Sequence, residues 1–383
     1  MTIAFAGPLL GEEEFAAADI VLRSGWLASG PNVLALESEL STYFEDRPTR
    51  VLTSETAALE VALQLLGIGA GDEVLIGAQT FFSSGNMVEK VGARAVFVDV
   101  GLKSRNIDLA DAARRVTAKT KAIIPTHYAG LACEMDALYA FATEHKLRVI
   151  EDAALAIGSS WKGRSIGSFG DIALFSFHPN KNMTTLEGGA LVCNDLADAK
   201  RVEVLRFHGI SRLPDQTRDV DFPGGKFNMT DVSAAIGRAQ LKKLDGFCAH
   251  RRGLAMHYLK RLPAFLAEAL LPHPGHAGDE VGHSWNLFAI RLPLDEITKS
   301  RAEIVDAMKA RGVATSVSYE SPHLTSLFRA QGWNVGDLPN TELIANTTLT
   351  LPLHAGLQLA DIDLVCDTLR QVLHDSTRKA KPS

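Results

Sequence analysis

Short apolar runs alternate with longer amphipathic segments between about residue 50 and residue 195. The apolar runs predict buried strands at Val74–Ile76, Ala95–Val98, Ala122–Pro125, Arg148–Glu151, Ile172–Phe177 and Ala190–Cys193. Between these runs, apolar residues at three-to-four spacing predict helices over Thr56–Leu66, Ala110–Val116 and Met135–His145. Alternating strands and helices are typical of an α/β domain with a mainly parallel central sheet, and this is the fold class that the pattern predicts.

The pattern changes after about residue 250. A helix is predicted over Asp231–Leu244, with Thr230 or Asp231 as its N-cap. Beyond it, longer helices are predicted to flank short strands. The helices cover Arg251–Leu262, Lys299–Arg311 and Ala360–Leu373, and the strands cover Leu287–Leu292 and Val313–Val317. We therefore expect a large domain over residues 1–250, including the N-terminal segment, and a smaller α+β domain over residues 251–383.

Composition excludes several classes of function. The chain has 383 residues, of which 46% are apolar and 22% charged, and its net charge of −6 comes without a basic block. A nucleic-acid partner is therefore not expected. No apolar stretch approaches the roughly 20 residues that span a bilayer, so no membrane association is expected. The four cysteines form no C-x-x-C pair, which favours a cytoplasmic protein without a metal site.

The most informative loop is SFHPNKNMTTLEGG, residues 176–189. It follows a strand that is predicted to be buried, and it contains Lys181. Ligands of α/β proteins usually bind beyond the strand ends. A lysine that is desolvated there has a lowered pKa and a nucleophilic amine. Position alone still favours a solvated surface lysine, because most lysines are exposed.

Two further segments carry candidate chemistry. VIEDAA places Asp152 at the end of a predicted strand, where a carboxylate could face a pyridinium nitrogen or simply cap the next helix. TSETAAL places Thr56 at a predicted helix start, where free N–H groups could hold a phosphate. An ordinary N-cap is the alternative for this second segment.

In combination, these motifs make the chain resemble the DegT/StrS-type sugar aminotransferases, a branch of the fold type I enzymes that use pyridoxal 5′-phosphate (PLP). Matching segments extend through nearly the whole chain. They are SGWLASGP (24–31), TSETAALEVAL (53–63), GIGAGDEVLIGAQTFFSS (67–84), TKAIIPTHYAG (120–130), VIEDAALAIGSSWKGRSIGSFGD (149–171), SFHPNKNMTTLEGG (176–189), PGGKFNMTDVSAAIGRAQL (223–241) and LPLHAGL (351–357).

The resemblance implies a role for each matching residue. Lys181 and Asp152 would be the catalytic pair: the lysine would bind the cofactor covalently and move protons, and the aspartate would pair with the ring nitrogen. The implied cofactor-binding residues are Thr56, Glu55, Phe81, Asp152, Ser176, Lys181 and Asn228. In this set Ser176 and Thr56 would bind the phosphate, and Phe81 would stack on the ring. Asn228 would reach the phosphate of the neighbouring subunit, which implies a homodimer with shared active sites.

The implied activity is transfer of an amino group from an amino acid, with L-glutamate as the expected donor, to a keto-sugar nucleotide. Pyridoxamine 5′-phosphate (PMP) would be the intermediate form of the cofactor. The alternatives are transamination of a non-sugar ketone or aldehyde, a sugar dehydratase, and a non-catalytic family member. Two departures motivate them. Glu55 replaces the usual Gly or Ala, and a carboxylate beside a phosphate is unfavourable unless it points away. Leu155 replaces a usual Gln or His.

Overall fold

The computed structural model describes residues 2–275 and 282–376. Its strands are β1 (Thr49–Leu52), β2 (Glu73–Gly77), β3 (Arg94–Val98), β4 (Thr120–Ile124), β5 (Arg148–Asp152), β6 (Ser160–Trp161), β7 (Arg164–Ser165), β8 (Ile172–Ser176), β9 (Gly189–Val192), β10 (Ile210–Arg212), β11 (Arg218–Val220), β12 (Phe288–Arg291) and β13 (Thr348–Leu351).

The helices are α1 (Glu12–Ser24), α2 (Pro31–Tyr43), α3 (Glu55–Leu65), α4 (Ser83–Lys90), α5 (Leu109–Arg115), α6 (Met135–His145), α7 (Leu196–Leu205), α8 (Asp231–Leu241), α9 (Leu244–Arg261), α10 (Arg301–Ala310), α11 (Ser326–Arg329), α12 (Pro339–Thr347) and α13 (Leu359–His374). Within the described ranges, no helix is both long and apolar enough to cross a membrane.

A seven-stranded sheet with the order β1-β9-β8-β5-β4-β2-β3 forms the centre of the larger lobe. The pairs from β3 through β2, β4 and β5 to β8 are parallel, whereas β9 is antiparallel to both of its neighbours. The predicted α/β class with a mainly parallel sheet is confirmed. All six strands predicted before residue 195 are present in this sheet, and the sheet also contains β1, which the pattern did not predict.

Two buried apolar clusters cover the two faces of this sheet. Val74 and Ile76 belong to one cluster, and Leu75 between them belongs to the other, because successive side chains of a strand point to opposite faces. Helices α2 and α6 pack on the side of Leu75, and α3 and α7 pack on the other side. Because the strands are buried on both faces, a ligand reaches the sheet at the strand ends.

A smaller lobe is built around the antiparallel pair of β12 and β13. Helices α9, α10 and α13 supply most of its buried apolar side chains, and Ile3 joins them from the N-terminal segment. The predicted domain boundary at residue 250 falls within α9, and the division into two domains stays a prediction.

One predicted strand in this lobe is wrong. Val313 forms an isolated bridge with Ile3, and Ser316 forms another with Thr350, so Val313–Val317 is not a strand. The segment changes its pairing partner between these two positions, and no continuous ladder can form. The helix that was predicted to begin at Asp231 does begin there, and the side chain of Thr230 caps it by accepting a hydrogen bond from the Ser233 N–H at 3.2 Å.

Candidate active site

A pocket of about 310 Å³ lies where β5, β8 and the start of α3 come together. This volume is at the small end of the range of ligand pockets, about 300–1,000 Å³. Six of the seven predicted cofactor-binding residues line it: Glu55, Thr56, Phe81, Asp152, Ser176 and Lys181. These residues come from four separate segments of the sequence, which the parallel strands bring to one edge of the sheet.

The carboxylate of Asp152 is held in place by three donors. Its Oδ2 atom accepts hydrogen bonds from the hydroxyls of Thr80 and Thr126, both at 3.0 Å, and its Oδ1 atom accepts one from the Ala154 N–H at 3.2 Å. Asp152 is 6% exposed, so these contacts are shielded from water. The donors fix the direction in which the carboxylate faces the pocket.

Sequence reasoning missed both threonines. Thr126 follows β4 just as Asp152 ends β5, and the two strands are parallel neighbours, so their ends had to meet. That signal was available in the sequence. Thr80 lies beside the predicted Phe81, but its contact with Asp152 depends on how the loop after β2 folds back, and no local pattern encodes that path.

Lys181 lies in the loop between β8 and β9. Next to it, Asn182 donates to the carbonyl of Ile157 at 3.2 Å and to that of Ser284 at 3.3 Å, which anchors the loop. The Lys181 amine makes no hydrogen bond with the described residues. Burial lowers the pKa of Lys181, and the charge of Asp152, together with that of Glu55 when it is ionised, partly opposes that change. A larger neutral fraction makes the amine a better nucleophile.

The start of α3 supplies an anion site. The Ser54 side chain caps the helix by accepting a hydrogen bond from the Ala57 N–H at 3.1 Å, whereas the N–H groups of Glu55 and Thr56 make no bond with the described residues. Gly189 packs closely against this turn, since a Cβ atom there would lie 2.4 Å from the Glu55 nitrogen. Unpaired N–H groups at a helix N-terminus favour a phosphate.

Aromatic side chains form one wall of the pocket. Phe81 is 57% exposed although it is large and apolar, and its ring centroid lies 6.0 Å from that of Tyr319. Sequence reasoning gave Tyr319 no role. Leu155 also lines the pocket and packs with Tyr128. Because leucine has an apolar side chain, this position offers the cofactor no hydrogen-bond donor.

Glu55 does not point away from the pocket. Its side chain lines the pocket together with Asp152 and Lys181, and the residue is 7% exposed. Burial raises the pKa of Glu55 to about 8, with a further contribution from Asp152, whereas Lys181 lowers it. Glu55 therefore places a carboxyl group inside the pocket, an arrangement that is unfavourable beside a phosphate when the carboxyl group is ionised.

Asn228 is the one predicted cofactor-binding residue that does not line this pocket. Its side-chain amide donates to the hydroxyl of Ser29 at 2.6 Å, and its backbone forms an isolated bridge with Leu52. Asn228 therefore lies outside the lining of the pocket in its own chain, and its predicted role across a subunit interface stays a prediction.

Comparison with known proteins shows which family this chain belongs to. Residues 8–370 match the model of the DegT/DnrJ/EryC1/StrS aminotransferase family. The chain belongs to this family. It is 35% identical over 379 residues to the spore coat polysaccharide biosynthesis protein SpsC of Bacillus subtilis (strain 168), and the match covers 96% of both chains.

Solved structures of similar proteins include both cofactor forms. Spr1654 of Streptococcus pneumoniae, assigned as a sugar aminotransferase, is 29% identical in its PLP form, with a TM-score of 0.90 over 98% of this chain and 99% of that chain. Its PMP form also gives a TM-score of 0.90, at 30% identity, and the match covers 98% of both chains. PseC of Helicobacter pylori, an aminotransferase of pseudoaminic acid biosynthesis, is 25% identical with a TM-score of 0.90, over 98% of this chain and 100% of that chain.

The protein is therefore a PLP-dependent aminotransferase, and the predicted family, fold type and cofactor are confirmed. The pocket fits the cofactor on its own geometry. A nucleophilic amine, an oriented carboxylate, an anion site and an exposed aromatic ring surround one space of suitable volume. These are the groups that such a cofactor needs for covalent attachment, ring protonation, phosphate binding and stacking.

Proposed function

We propose that this enzyme transfers an amino group from L-glutamate to a keto-sugar nucleotide. The observation that carries the proposal is the placement of Lys181 and Asp152 in one pocket with the anion site at the start of α3. When bound, PLP supplies an electron sink that makes the bond to the migrating nitrogen easy to rearrange. Glutamate would leave the amino group on the cofactor as PMP, and the sugar would then receive it.

The residues of the pocket have separate roles in this proposal. Lys181 holds the cofactor covalently and then carries protons between the reacting carbon atoms, since its pKa is lowered by burial. Asp152 keeps the ring nitrogen protonated. Thr56 and Ser176 bind the phosphate, and Phe81 stacks on the ring, a contact that contributes about 0.5–1.5 kcal/mol beyond area burial.

The mouth of the pocket supports a sugar as the acceptor. His178, Asn180 and Glu187 line it with exposed polar side chains, and the Nδ1 atom of His178 lies 2.8 Å from Oδ1 of Asn180. Such groups can donate to and accept from the hydroxyls of a sugar. The relatives named for polysaccharide and pseudoaminic acid biosynthesis support the same substrate class, and the nucleotide follows from the sequence resemblance.

Two half-reactions test the proposal. Purified enzyme loaded with PLP is mixed with L-glutamate in the absence of an acceptor, and release of 2-oxoglutarate is measured together with the change in cofactor absorbance. We expect one equivalent of 2-oxoglutarate for each active site. The PMP form is then offered nucleotide-linked keto-sugars, free keto-sugars and non-sugar ketones. Turnover of the last group alone would overturn the sugar assignment, and an unchanged spectrum with every amino donor would overturn transamination.

We also place the enzyme in a homodimer. Large apolar side chains on α1, α2 and the segment between them are exposed, with Ile20, Trp26 and Leu34 each more than 60% accessible. An apolar patch of this kind is typical of a subunit interface. Ser29 lies in the same segment and contacts Asn228, so a partner that docks on this patch is brought near the proposed trans-acting residue.

Mixing two inactive variants tests the shared active site. The Lys181→Ala and Asn228→Ala proteins are unfolded and refolded together, or their subunits are allowed to exchange at low protein concentration. If Asn228 acts on the partner's pocket, half of the dimers are hybrids with one intact site, and activity recovers to about a quarter of the wild-type level. If Asn228 acts only within its own chain, mixing yields no recovery.

A cytoplasmic location is part of the same proposal. Cys133, Cys193, Cys248 and Cys366 are all buried free thiols, which suits a reducing compartment. Fractionation of the host cell followed by immunoblotting tests this point, and recovery outside the cytoplasmic fraction would contradict it.

A further inference from the structure

Glu55 has a carboxyl group in the cofactor pocket that forms no hydrogen bond or ion pair within the described part of the chain. The residue is 7% exposed. Buried carboxylates are normally paired because desolvating a charge is costly. An unpaired carboxyl group that faces a ligand site therefore has a function in binding that ligand, or it is kept uncharged.

The position of Glu55 in the chain brings it next to the free end of a helix. It is the first residue of α3, directly after the N-cap Ser54. On the other side of this turn, Gly189 comes so close that even a Cβ atom there would lie 2.4 Å from the Glu55 nitrogen. Glu55 and Thr56, whose N–H groups are unpaired among the described residues, both line the same pocket of about 310 Å³.

The surroundings of Glu55 favour its protonated form, chiefly through burial. The ionisable groups that line the same pocket are Asp152 from β5, Lys181, His178 and Glu187 from the loop after β8, and Tyr319 from the smaller lobe. Burial is the main reason that the pKa of Glu55 rises to about 8, and Asp152 adds to the effect. The positive charge of Lys181 opposes it but is a smaller influence than burial or Asp152.

We propose that Glu55 binds the cofactor phosphate as a neutral acid, donating its O–H to a phosphate oxygen beside the N–H groups of α3. The ionised form repels the phosphate, so capture of the cofactor takes up a proton at this side chain, and the uptake approaches one proton well above pH 8. This inference rests on the proposed position of the phosphate at the start of α3. It makes Glu55 a cofactor-binding residue, and it makes cofactor affinity dependent on pH.

Binding of PMP to the apoenzyme tests the proposal without turnover. PMP forms no covalent bond with Lys181, so its dissociation constant reports the pocket alone. The constant is measured between pH 6.5 and pH 9.5 for the wild type, for Glu55→Gln and for Glu60→Gln. Glu60 is the matched control, because it lies on the same helix but forms an ion pair with Lys90 at 2.6 Å outside the pocket.

The expected result is a pH-dependent gap between the wild type and Glu55→Gln. Near pH 6.5 the two proteins bind PMP about equally well. At pH 9.5 the wild type binds PMP about 30-fold more weakly than Glu55→Gln does. This factor is the cost of protonating one group whose pKa is about 8 before PMP can bind. Glu60→Gln follows the wild type throughout. A ratio that does not change with pH, or a weaker binding of Glu55→Gln at high pH, overturns the proposal.

Pyridoxamine lacks the phosphate, so its binding shows whether Glu55 contacts the phosphate or the ring. With pyridoxamine the wild type and Glu55→Gln should differ equally at every pH, and a gap that grows with pH would overturn the assigned contact.

Calorimetry of the wild type in two buffers of different ionisation enthalpy gives a second readout that needs no variant. Uptake of close to one proton per PMP at pH 9.5, beyond that measured with pyridoxamine, is expected, and equal uptake with both overturns the proposal. If the protein fails to transaminate sugars but binds PMP in this way, the proposed substrate is refuted and the proposal for Glu55 still holds.

Discussion

Replacing Thr126 by valine removes one of the two hydroxyls that orient Asp152. The hydroxyl donates to Oδ2 at 3.0 Å, and both residues are buried, at 4% and 6% exposure. Valine has nearly the same shape as threonine, so the substitution deletes the hydrogen bond without opening a cavity. A hydrogen bond to a charged group contributes about 1.5–3 kcal/mol, which corresponds to about 10- to 150-fold in an equilibrium constant.

We therefore expect the Thr126→Val enzyme to bind PLP about 10- to 150-fold more weakly, with a similar loss in the rate of the glutamate half-reaction. Absorbance titration of the apoenzyme measures the first effect, and release of 2-oxoglutarate measures the second. Thr126→Ser keeps the hydroxyl and serves as the control, which should recover most of the affinity. Thr80→Val removes the other donor at 3.0 Å and should behave alike. A folded Thr126→Val protein whose PLP affinity lies within twofold of the wild type would refute the reasoning.

Three further predictions concern the remaining walls of the pocket. Gly189→Ala places a Cβ atom 2.4 Å from the Glu55 nitrogen and must displace the start of α3, so PLP titration should show an affinity lower by about tenfold or more, from lost hydrogen bonds of about 1–3 kcal/mol. Gly246→Ala, where a Cβ atom meets nothing within 4 Å, is the control and should leave the affinity unchanged. The Glu55 carboxyl has a folded-state pKa of about 8 against an ordinary 4.5, so its contribution to apoenzyme stability is fully present below pH 4.5 and is lost as the pH rises through 8. Glu55→Gln should therefore melt like the wild type at pH 5 and at a higher temperature at pH 9, and equal melting curves at both values would argue against a buried acid. Phe81→Ala should weaken PLP binding about 2- to 12-fold, from a stacking contribution of about 0.5–1.5 kcal/mol, and an unchanged fluorescence titration would exclude stacking.

The hydrophobic pattern was sufficient to predict the frame of the larger lobe. Strands that are buried on both faces read as continuous apolar runs, and the segments around Val74, Ile123 and Leu174 were found for that reason. Strand β1 was missed because TRVL, residues 49–52, contains two polar residues and lies at the edge of the sheet.

The pocket could be predicted only in part. Lys181 and Asp152 lie within motifs whose order along the chain is distinctive, so the resemblance located them. The burial of Glu55 beside Asp152 and Lys181 could not be read from TSETAAL, because those two residues lie far from it in the sequence. The contact of Thr80 with Asp152 likewise spans 72 residues and arises from the folded loop.

The position of Val313–Val317 illustrates another limit. Its apolar residues fit a strand, but its backbone pairs first with Ile3 and then with Thr350, which lie far apart in the sequence. Strand propensity describes how well side chains fit a pleated surface, and it does not specify whether one partner continues along the whole segment.

The most direct test of the central claim is to locate the lysine that holds the cofactor. The enzyme is saturated with PLP, reduced with borohydride, digested and examined by mass spectrometry, with Lys181→Ala treated in parallel. We predict a single phosphopyridoxyl group on the peptide that contains Lys181, and none on the variant. A modification on another lysine, or a wild-type protein that carries no modification after reduction, would contradict the account.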